Sequence, residues 1–239
     1  MLKRTFDVVT AMTGLVVLAP MFAVVAVAIK LESQGPVFFR QERVGRHGRP
    51  FRIFKFRTMV EPVHGDLQLT LIGDARVTRV GAWLRSSKVD ELAQLIDVVR
   101  GTMSLVGPRP EVPRFVAHYP SASRERLLSI RPGITDYASI DYRQEHARLA
   151  LASDPEREYI EAVLPVKVEL ALRYVDNPAL LTDLKLIGLT IWTIAAPPLR
   201  SAARADTWVR HVGARLRRRR RATPAEPPSA SPATPTPRR

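Results

Sequence analysis

Asp90 and Glu91 stand side by side at the start of an apolar run, and Gly-Pro-Arg-Pro follows at residues 107–110. Neighbours on an α-helix point about 100° apart, so the two carboxylates cannot share one proton. They suit divided labour. One can attack an electrophile or bind a metal while the other orients it or relays a proton. A helix N-terminus stabilises an anion through its dipole and its free N–H groups. The same preference makes simple helix capping an alternative reading of the pair.

The company of the pair points toward chemistry. Arg85 lies five residues upstream, and Lys55 and Arg57 occur together in Lys-Phe-Arg-Thr. Arg109 sits between Pro108 and Pro110, which fix the local backbone and pre-orient the guanidinium. Four cations near two carboxylates suit a diphosphate substrate. The sequence has no Gly-x-Gly-x-x-Gly or Walker loop, and its five His lack metal-ligand spacing. A hard cation such as Mg²⁺, held by one carboxylate and the substrate phosphates, is the metal that fits.

The positioning elements follow from periodicity and turn residues. Phe38 to Met59, turning at Gly45 and Gly48, predicts a β-hairpin. Basic residues recur at every third position from Arg40 to Lys55. They are either a solvated rim or a phosphate-binding row. Glu61 to Asp74 reads as a loop, and Val80 to Arg85 as a short amphipathic piece. Leu92, Leu95, Ile96 and Val99 have helical spacing, and Gly101 ends that helix. Further helical segments are expected over Glu111–Ile130, interrupted at Pro120, and over Tyr159–Val175, with a break or fresh start at Pro165. Arg131-Pro132-Gly133 reads as a turn. Asp183 to Ala196 is apolar, too short to span a bilayer, and fits an interfacial helix.

From Val8 to Ile29 there is no charge, enough helix to cover roughly 33 Å and so a bilayer core. A spanning helix, a signal peptide and a re-entrant helix all fit that length. Lys3 and Arg4 precede the segment, and Lys30, Arg40, Arg43 and Arg46 follow it. The positive-inside rule places both flanks in the cytoplasm, and Pro20 predicts a kink mid-segment. Both favour the re-entrant form.

The absence of cysteine excludes disulfides and thiolate metal sites and fits a reducing compartment. Of the net charge of +14, the stretch from Leu199 to Arg239 carries +9, from eleven Arg against Asp206 and Glu226. A polyanion partner fits that tail, either anionic lipid or nucleic acid. No aromatic residue interleaves with Arg215–Arg221, so nucleic acid is not expected. Ala222–Pro237 is rich in Ala, Pro, Ser and Thr and reads as disordered.

Six blocks, in order, resemble the bacterial sugar transferase family, the monotopic polyprenyl-phosphate phosphoglycosyl transferases that prime glycan assembly. They are Lys-Arg-Thr-Phe-Asp at 3–7, Gly-Pro-Val-Phe-Phe-Arg-Gln-Glu-Arg-Val-Gly at 35–45, Phe-Lys-Phe-Arg-Thr-Met at 54–59, Asp-Glu-Leu at 90–92, Met-Ser-Leu-Val-Gly-Pro-Arg-Pro at 103–110 and Arg-Pro-Gly-Ile-Thr at 131–135. The resemblance covers residues 2–196. It implies that Asp90 attacks the β-phosphate of a UDP-sugar, that UMP leaves, and that a polyprenyl phosphate then takes the phosphosugar. It also implies that Asp90 binds Mg²⁺, that Glu91 orients a ligand or acts as acid/base, and that Arg85 holds phosphate. Pro108, Arg109 and Pro110 would lie near the nucleotide, and Pro20 would match the break of the family's re-entrant helix.

Two departures stand out. Ala93 replaces the family's usual Pro, and Asp136-Tyr-Ala-Ser-Ile follows Thr135 where Gly is common. Asp141 and Arg143 are weak candidates for sugar contacts, with a surface turn as the competing reading.

The expected architecture is α+β and mostly helical. A re-entrant membrane helix occupies 1–30. A catalytic domain over 31–197 holds the hairpin and membrane-surface amphipathic helices, and a disordered tail covers 198–239. The expected location is the bacterial inner membrane with the domain facing the cytoplasm, and the sequence leaves room for a homo-oligomer. The competing function is a membrane-anchored scaffold that binds polyanions through its tail.

Overall fold

The structure is a computed structural model, and it describes residues 1–60, 74–141, 149 and 151–195. The loop expected over Glu61–Asp74 lies outside the described residues except for Asp74. Arg143 and the tail over 198–239 lie outside them as well.

Helix α1 runs from Leu2 to Glu32 with Pro20 inside it, and it is long and apolar enough to cross a membrane by length and composition. Its 31 residues would extend about 46 Å at 1.5 Å per residue. One side packs on the rest of the chain along its whole length. Ala11 joins the core around Leu95, Val98 and Met103, and Val25 and Ile29 join Phe56, Leu84 and Ala93. Both ends are tied down by polar contacts. Arg4 Nη1 donates to Val98 O at 2.7 Å, Asp7 Oδ2 accepts from Ser104 Oγ at 2.8 Å, and Glu32 accepts from Arg79 N and Val80 N at 2.7 and 3.0 Å. The opposite side exposes Met12, Val16, Val17, Val24 and Val27.

Strands β1 (Phe38–Val44) and β2 (Pro50–Phe56) form the expected antiparallel hairpin, pairing Phe38 with Phe56 and Val44 with Pro50. The basic row is not uniform. Arg43 and Lys55 turn inward to Glu111 and Glu91, whereas Arg49 and Arg52 stay exposed. Helix α2 spans Arg79–Ser87, capped by Thr78 Oγ1 accepting from Gly81 N at 2.9 Å. A 3₁₀ segment over Val89–Gln94 then leads into α3 (Leu95–Arg100), which Gly101 ends at φ 85°.

The structure corrects two readings. The helix expected from Asp90 is first a 3₁₀ turn, and its buried residues are Asp90, Ala93, Gln94, Leu95, Asp97 and Val98, while Leu92, Ile96 and Val99 are only half-buried. Gly133 is no turn residue. β3 (Ser104–Val106) and β4 (Gly133–Thr135) pair in parallel, Ser104 beside Gly133 and Val106 beside Thr135. A Cβ on Gly133 would run into the backbone nitrogen of Gly107, so only glycine lets these two strands close up. Pro165 marks the expected fresh start of a helix. The chain passes from α6 (Tyr137–Asp141) to α7 (Pro155–Glu158), a π-helical stretch at Tyr159–Val163, and α8 (Leu164–Asp176). The π turn precedes Pro165, which sits in the first turn of α8, where its missing N–H costs nothing.

Between these elements lie α4 (Pro113–Val116) and α5 (Ser121–Leu128), separated at Pro120 as expected. The last described helix, α9 (Leu180–Ala195), exposes Leu181, Leu184, Ile191, Trp192 and Ile194. Its buried Leu186 contacts the core that holds Ala11, so α9 and the start of α1 share one cluster.

Candidate active site

Asp90 and Glu91 are placed by three elements. Lys88, at the end of α2, adopts a left-handed conformation (φ 61°), uncommon for a side-chain-bearing residue, and turns the chain into the 3₁₀ segment. That segment lies against β2. Asp97 Oδ2 accepts from Phe54 N at 2.7 Å and locks the following helix to the strand that carries Lys55. Ala93, where the family usually has Pro, is fully buried among Val25, Phe56 and Leu84.

The two carboxylates are treated very differently. Glu91 is gripped from two sides. Lys55 Nζ donates to Oε1 at 2.8 Å, while Arg109 forks onto both oxygens, Nη1 to Oε2 at 3.0 Å and Nη2 to Oε1 at 2.5 Å. Burial alone would raise the Glu91 pKa, but Arg109 and Lys55 outweigh it and hold the group well below the usual carboxylate range. Two cations thus hold Glu91 from both sides. It orients Lys55 and Arg109.

Asp90 is buried, and its Oδ1 has no hydrogen-bond partner. Burial raises its pKa, Lys55 opposes the rise, and the negative charge of Glu91 adds to it. A buried carboxylate oxygen without a partner is costly. Arg85 carries a matching vacancy: its Nη1 is also buried and unpartnered. Burial lowers the Arg85 pKa, and Asp90 is the leading opposing charge. A carboxylate oxygen and a guanidinium nitrogen, both unsatisfied and electrostatically coupled, fit a ligand that brings phosphate oxygens and a cation. Among the described residues no group of three or more His, Asp or Glu could hold a metal ion. The free oxygen of Asp90 nonetheless suits Mg²⁺, which keeps several waters and takes much of its coordination from substrate phosphates.

Of the residues singled out in the sequence, Asp90, Glu91, Arg85, Lys55 and Arg109 converge. Pro108 and Pro110 flank Arg109 along a cleft that also meets Val44, Asp136 and Lys167. Arg57 does not join them. Its guanidinium is buried against the end of α1, donating to Ser33 O at 2.7 Å and Ser33 Oγ at 3.0 Å, and also to Gln34 O. It caps the end of α1. Nothing is described of the Asp141 side chain.

Sequence reasoning passed over three buried acids that shape the site. Asp97 anchors β2. Asp136 accepts from Ser139 N at 2.6 Å and from Arg109 N at 3.2 Å, so the family departure after Thr135 supports the arginine loop. Glu111 meets Tyr159, Lys167 and Arg43. The only sequence signal for these was an acid embedded in apolar neighbours.

The bacterial sugar transferase family model matches residues 1–197. The chain is 38% identical over 197 residues to the UDP-N-acetylgalactosamine-undecaprenyl-phosphate N-acetylgalactosaminephosphotransferase of Aeromonas hydrophila, covering 81% of this chain and 43% of that protein. It is 40% identical over 197 residues to the undecaprenyl-phosphate glucose phosphotransferase of Komagataeibacter xylinus, covering 79% of this chain and 35% of the relative. A third similar protein, the uncharacterized sugar transferase EpsL of Bacillus subtilis, is 35% identical over 191 residues, covering 80% of this chain and 85% of its own length. The chain thus spans less than half the length of the first two relatives and most of the third. With its family motifs gathered around one carboxylate pair, this chain belongs to the bacterial sugar transferase family.

Proposed function

We propose that the protein transfers a phosphosugar from a UDP-sugar to polyprenyl phosphate at the cytoplasmic face of the bacterial inner membrane. The observation that carries this reading is the unpartnered, buried Oδ1 of Asp90 together with the unpartnered Nη1 of Arg85, on which Asp90 acts electrostatically. In the first step an Asp90 oxygen forms a bond to the β-phosphorus of the donor. The bond from that phosphorus to the bridging oxygen breaks, and UMP leaves with the electron pair. In the second step a polyprenyl phosphate oxygen attacks the same phosphorus and Asp90 departs as carboxylate. The nucleophile is displaced by a nucleophile of similar kind, so covalent catalysis divides one difficult anion–anion encounter into two.

The surrounding residues have separable tasks. Arg85 holds phosphate oxygens. Arg109, fixed by Glu91, keeps positive charge beside the reacting centre, and Glu91 opposes the fall that burial imposes on the Lys55 pKa. Mg²⁺, held by Asp90 and donor phosphates, would supply charge neutralisation between the two anions. Glu91 positions both cations.

The membrane placement rests on α1. A helix crossing a core of about 30 Å holds its ends on opposite faces. Here Arg4 and Asp7 at one end and Glu32 at the other are tied to the same body. That supports a re-entrant helix lying along the domain, its exposed valines in one leaflet and its basic flanks on one side. The exposed apolar face of α9 suits the same leaflet.

The test is intact-mass spectrometry of purified protein after exposure to a panel of UDP-sugars with Mg²⁺ and no acceptor. A sugar-phosphate adduct should appear, be absent from Asp90→Asn, and disappear with added polyprenyl phosphate as UMP accumulates. No adduct and no UMP with any donor would leave the scaffold reading in its place.

A further inference from the structure

We infer that Glu111 is a positioning residue that acts through Arg109. Glu111 is the second residue after Arg109, and its side chain is buried. Three separate parts of the chain converge on its carboxylate. Tyr159 Oη donates to Oε1 at 2.7 Å from the π-helical stretch, Lys167 Nζ approaches Oε1 at 3.3 Å from α8, and Arg43 Nη1 approaches Oε2 at 3.6 Å from β1. Its backbone is held as well. Val44 N donates to Glu111 O at 2.9 Å, and Arg43 Nη1 donates to Pro110 O at 3.2 Å.

The result is a line of alternating charge through the interior. Arg43 and Lys167 surround Glu111, Arg109 follows, then Glu91, then Lys55, which stands beside Asp90 electrostatically. Glu91 stands between Arg109 and Lys55, and Glu111 between Arg43 and Lys167 while also acting electrostatically on Arg109. The anion is what holds this part of the line together: without it, Arg43 and Lys167 are two cations packed near a third, Arg109. Repulsion then acts directly on the segment that carries the arginine. The π turn has a reason here too. It contributes the Tyr159 hydroxyl while α8 contributes Lys167, eight residues later, and both reach the same oxygen. Burial alone would raise the Glu111 pKa, but Lys167, Arg43 and the Tyr159 hydrogen bond hold it below the usual range, so the anion persists.

A fold anchor and a positioning residue predict different outcomes. The first arm needs no activity. Arg109 modification by phenylglyoxal, followed by peptide mass spectrometry on full-length protein in nanodiscs, should speed up in Glu111→Gln and stay near wild type in Glu111→Asp. Glu91→Gln serves as the positive control. The second arm rests on the proposed transfer. Glu111→Gln should lose about 100-fold in kcat/KM for the UDP-sugar, the scale expected when a reacting group is misplaced by about 1 Å. Combined with Arg109→Lys it should lose no more than the larger single variant, because both act through one guanidinium. Unchanged Arg109 labelling, or losses that multiply, would overturn the inference. If Glu111→Gln fails to fold, Glu111→Asp paired with Tyr159→Phe decides the labelling arm, which should then rise only in the pair. Wild-type protein without turnover would sink the proposed function, while the labelling arm would still decide the role of Glu111.

Discussion

Replacing Glu91 by Gln keeps the shape of the side chain and removes its charge. Lys55 and Arg109 then remain at their posts without an anion. The side chains of Glu91, Lys55 and Arg109 are 13%, 17% and 29% exposed, so none can relax fully into water. Removing one partner of a buried ion pair costs about 3–5 kcal/mol. Partial access of Arg109 to solvent screens some of that, leaving about 2–3 kcal/mol. For a protein of this size each kcal/mol moves the melting temperature by about 2–4 °C, so a fall of about 4–12 °C is expected. The sign with pH follows from the lowered Glu91 pKa. Its contribution is complete above the unfolded carboxylate pKa of about 4.3 and is lost as pH falls through the lower folded value. The deficit of Glu91→Gln should therefore be full at pH 7 and shrink in strong acid. The assay is thermal unfolding of wild type, Glu91→Gln, Arg109→Met and the double variant in one lipid or detergent. The double variant should lose less than the sum, since removing Arg109 removes one of the stranded cations. Wild-type melting for Glu91→Gln, or strictly additive losses, would refute the reasoning.

Asp90→Asn should abolish UMP release yet raise the melting temperature at neutral pH, because burial disfavours the charged carboxylate; an unchanged or lowered melting temperature would contradict that. Asp90 binds its proton more tightly folded than unfolded, so its stabilising contribution is complete below the ordinary carboxylate pKa and is lost as pH rises through the elevated one. The same elevation places the acid limb of the free enzyme's kcat/KM profile above the ordinary Asp range of about 3.9, to be read from UMP release against pH. Chelation of divalent cations should stop turnover and added Mg²⁺ restore it, without a change in melting temperature as large as that of Glu91→Gln. Arg57→Met should lower the melting temperature, at about 1–3 kcal/mol for stranded carbonyls at the end of α1, while the KM for the UDP-sugar stays at the wild-type value.

Local signals carried the hairpin, the short amphipathic α2, the stop at Gly101 and the long apolar α1, because each depends on residues close in sequence. The parallel pairing of β3 with β4 was not legible: it joins segments 29 residues apart, from Ser104 to Gly133, and each strand is three residues long. The phase of the Asp90 helix was misjudged for a different reason. Apolar spacing identifies the buried face only when water covers the other side, and here a 3₁₀ turn shifts the phase and the interior is partly ionic. Motif spacing singled out both carboxylates, Arg85, Lys55 and Arg109, which the structure brings together. Arg57, singled out with them, lies at the end of α1 instead, since a basic residue in a motif looks the same whether it meets a phosphate or the carbonyls of a helix end. Asp97, Glu111 and Asp136 were passed over because their partners come from distant segments.

The seam along α1 also decides which fragments of this protein can exist. Ala11, Val25 and Ile29 fill the same clusters as Leu95, Val98, Phe56 and Leu84. A version trimmed through Glu32 to make a water-soluble enzyme would bare that whole surface and lose the anchor for the start of α2. Such a product should precipitate, because the remainder has its surface to pack upon only with the first thirty-two residues in place.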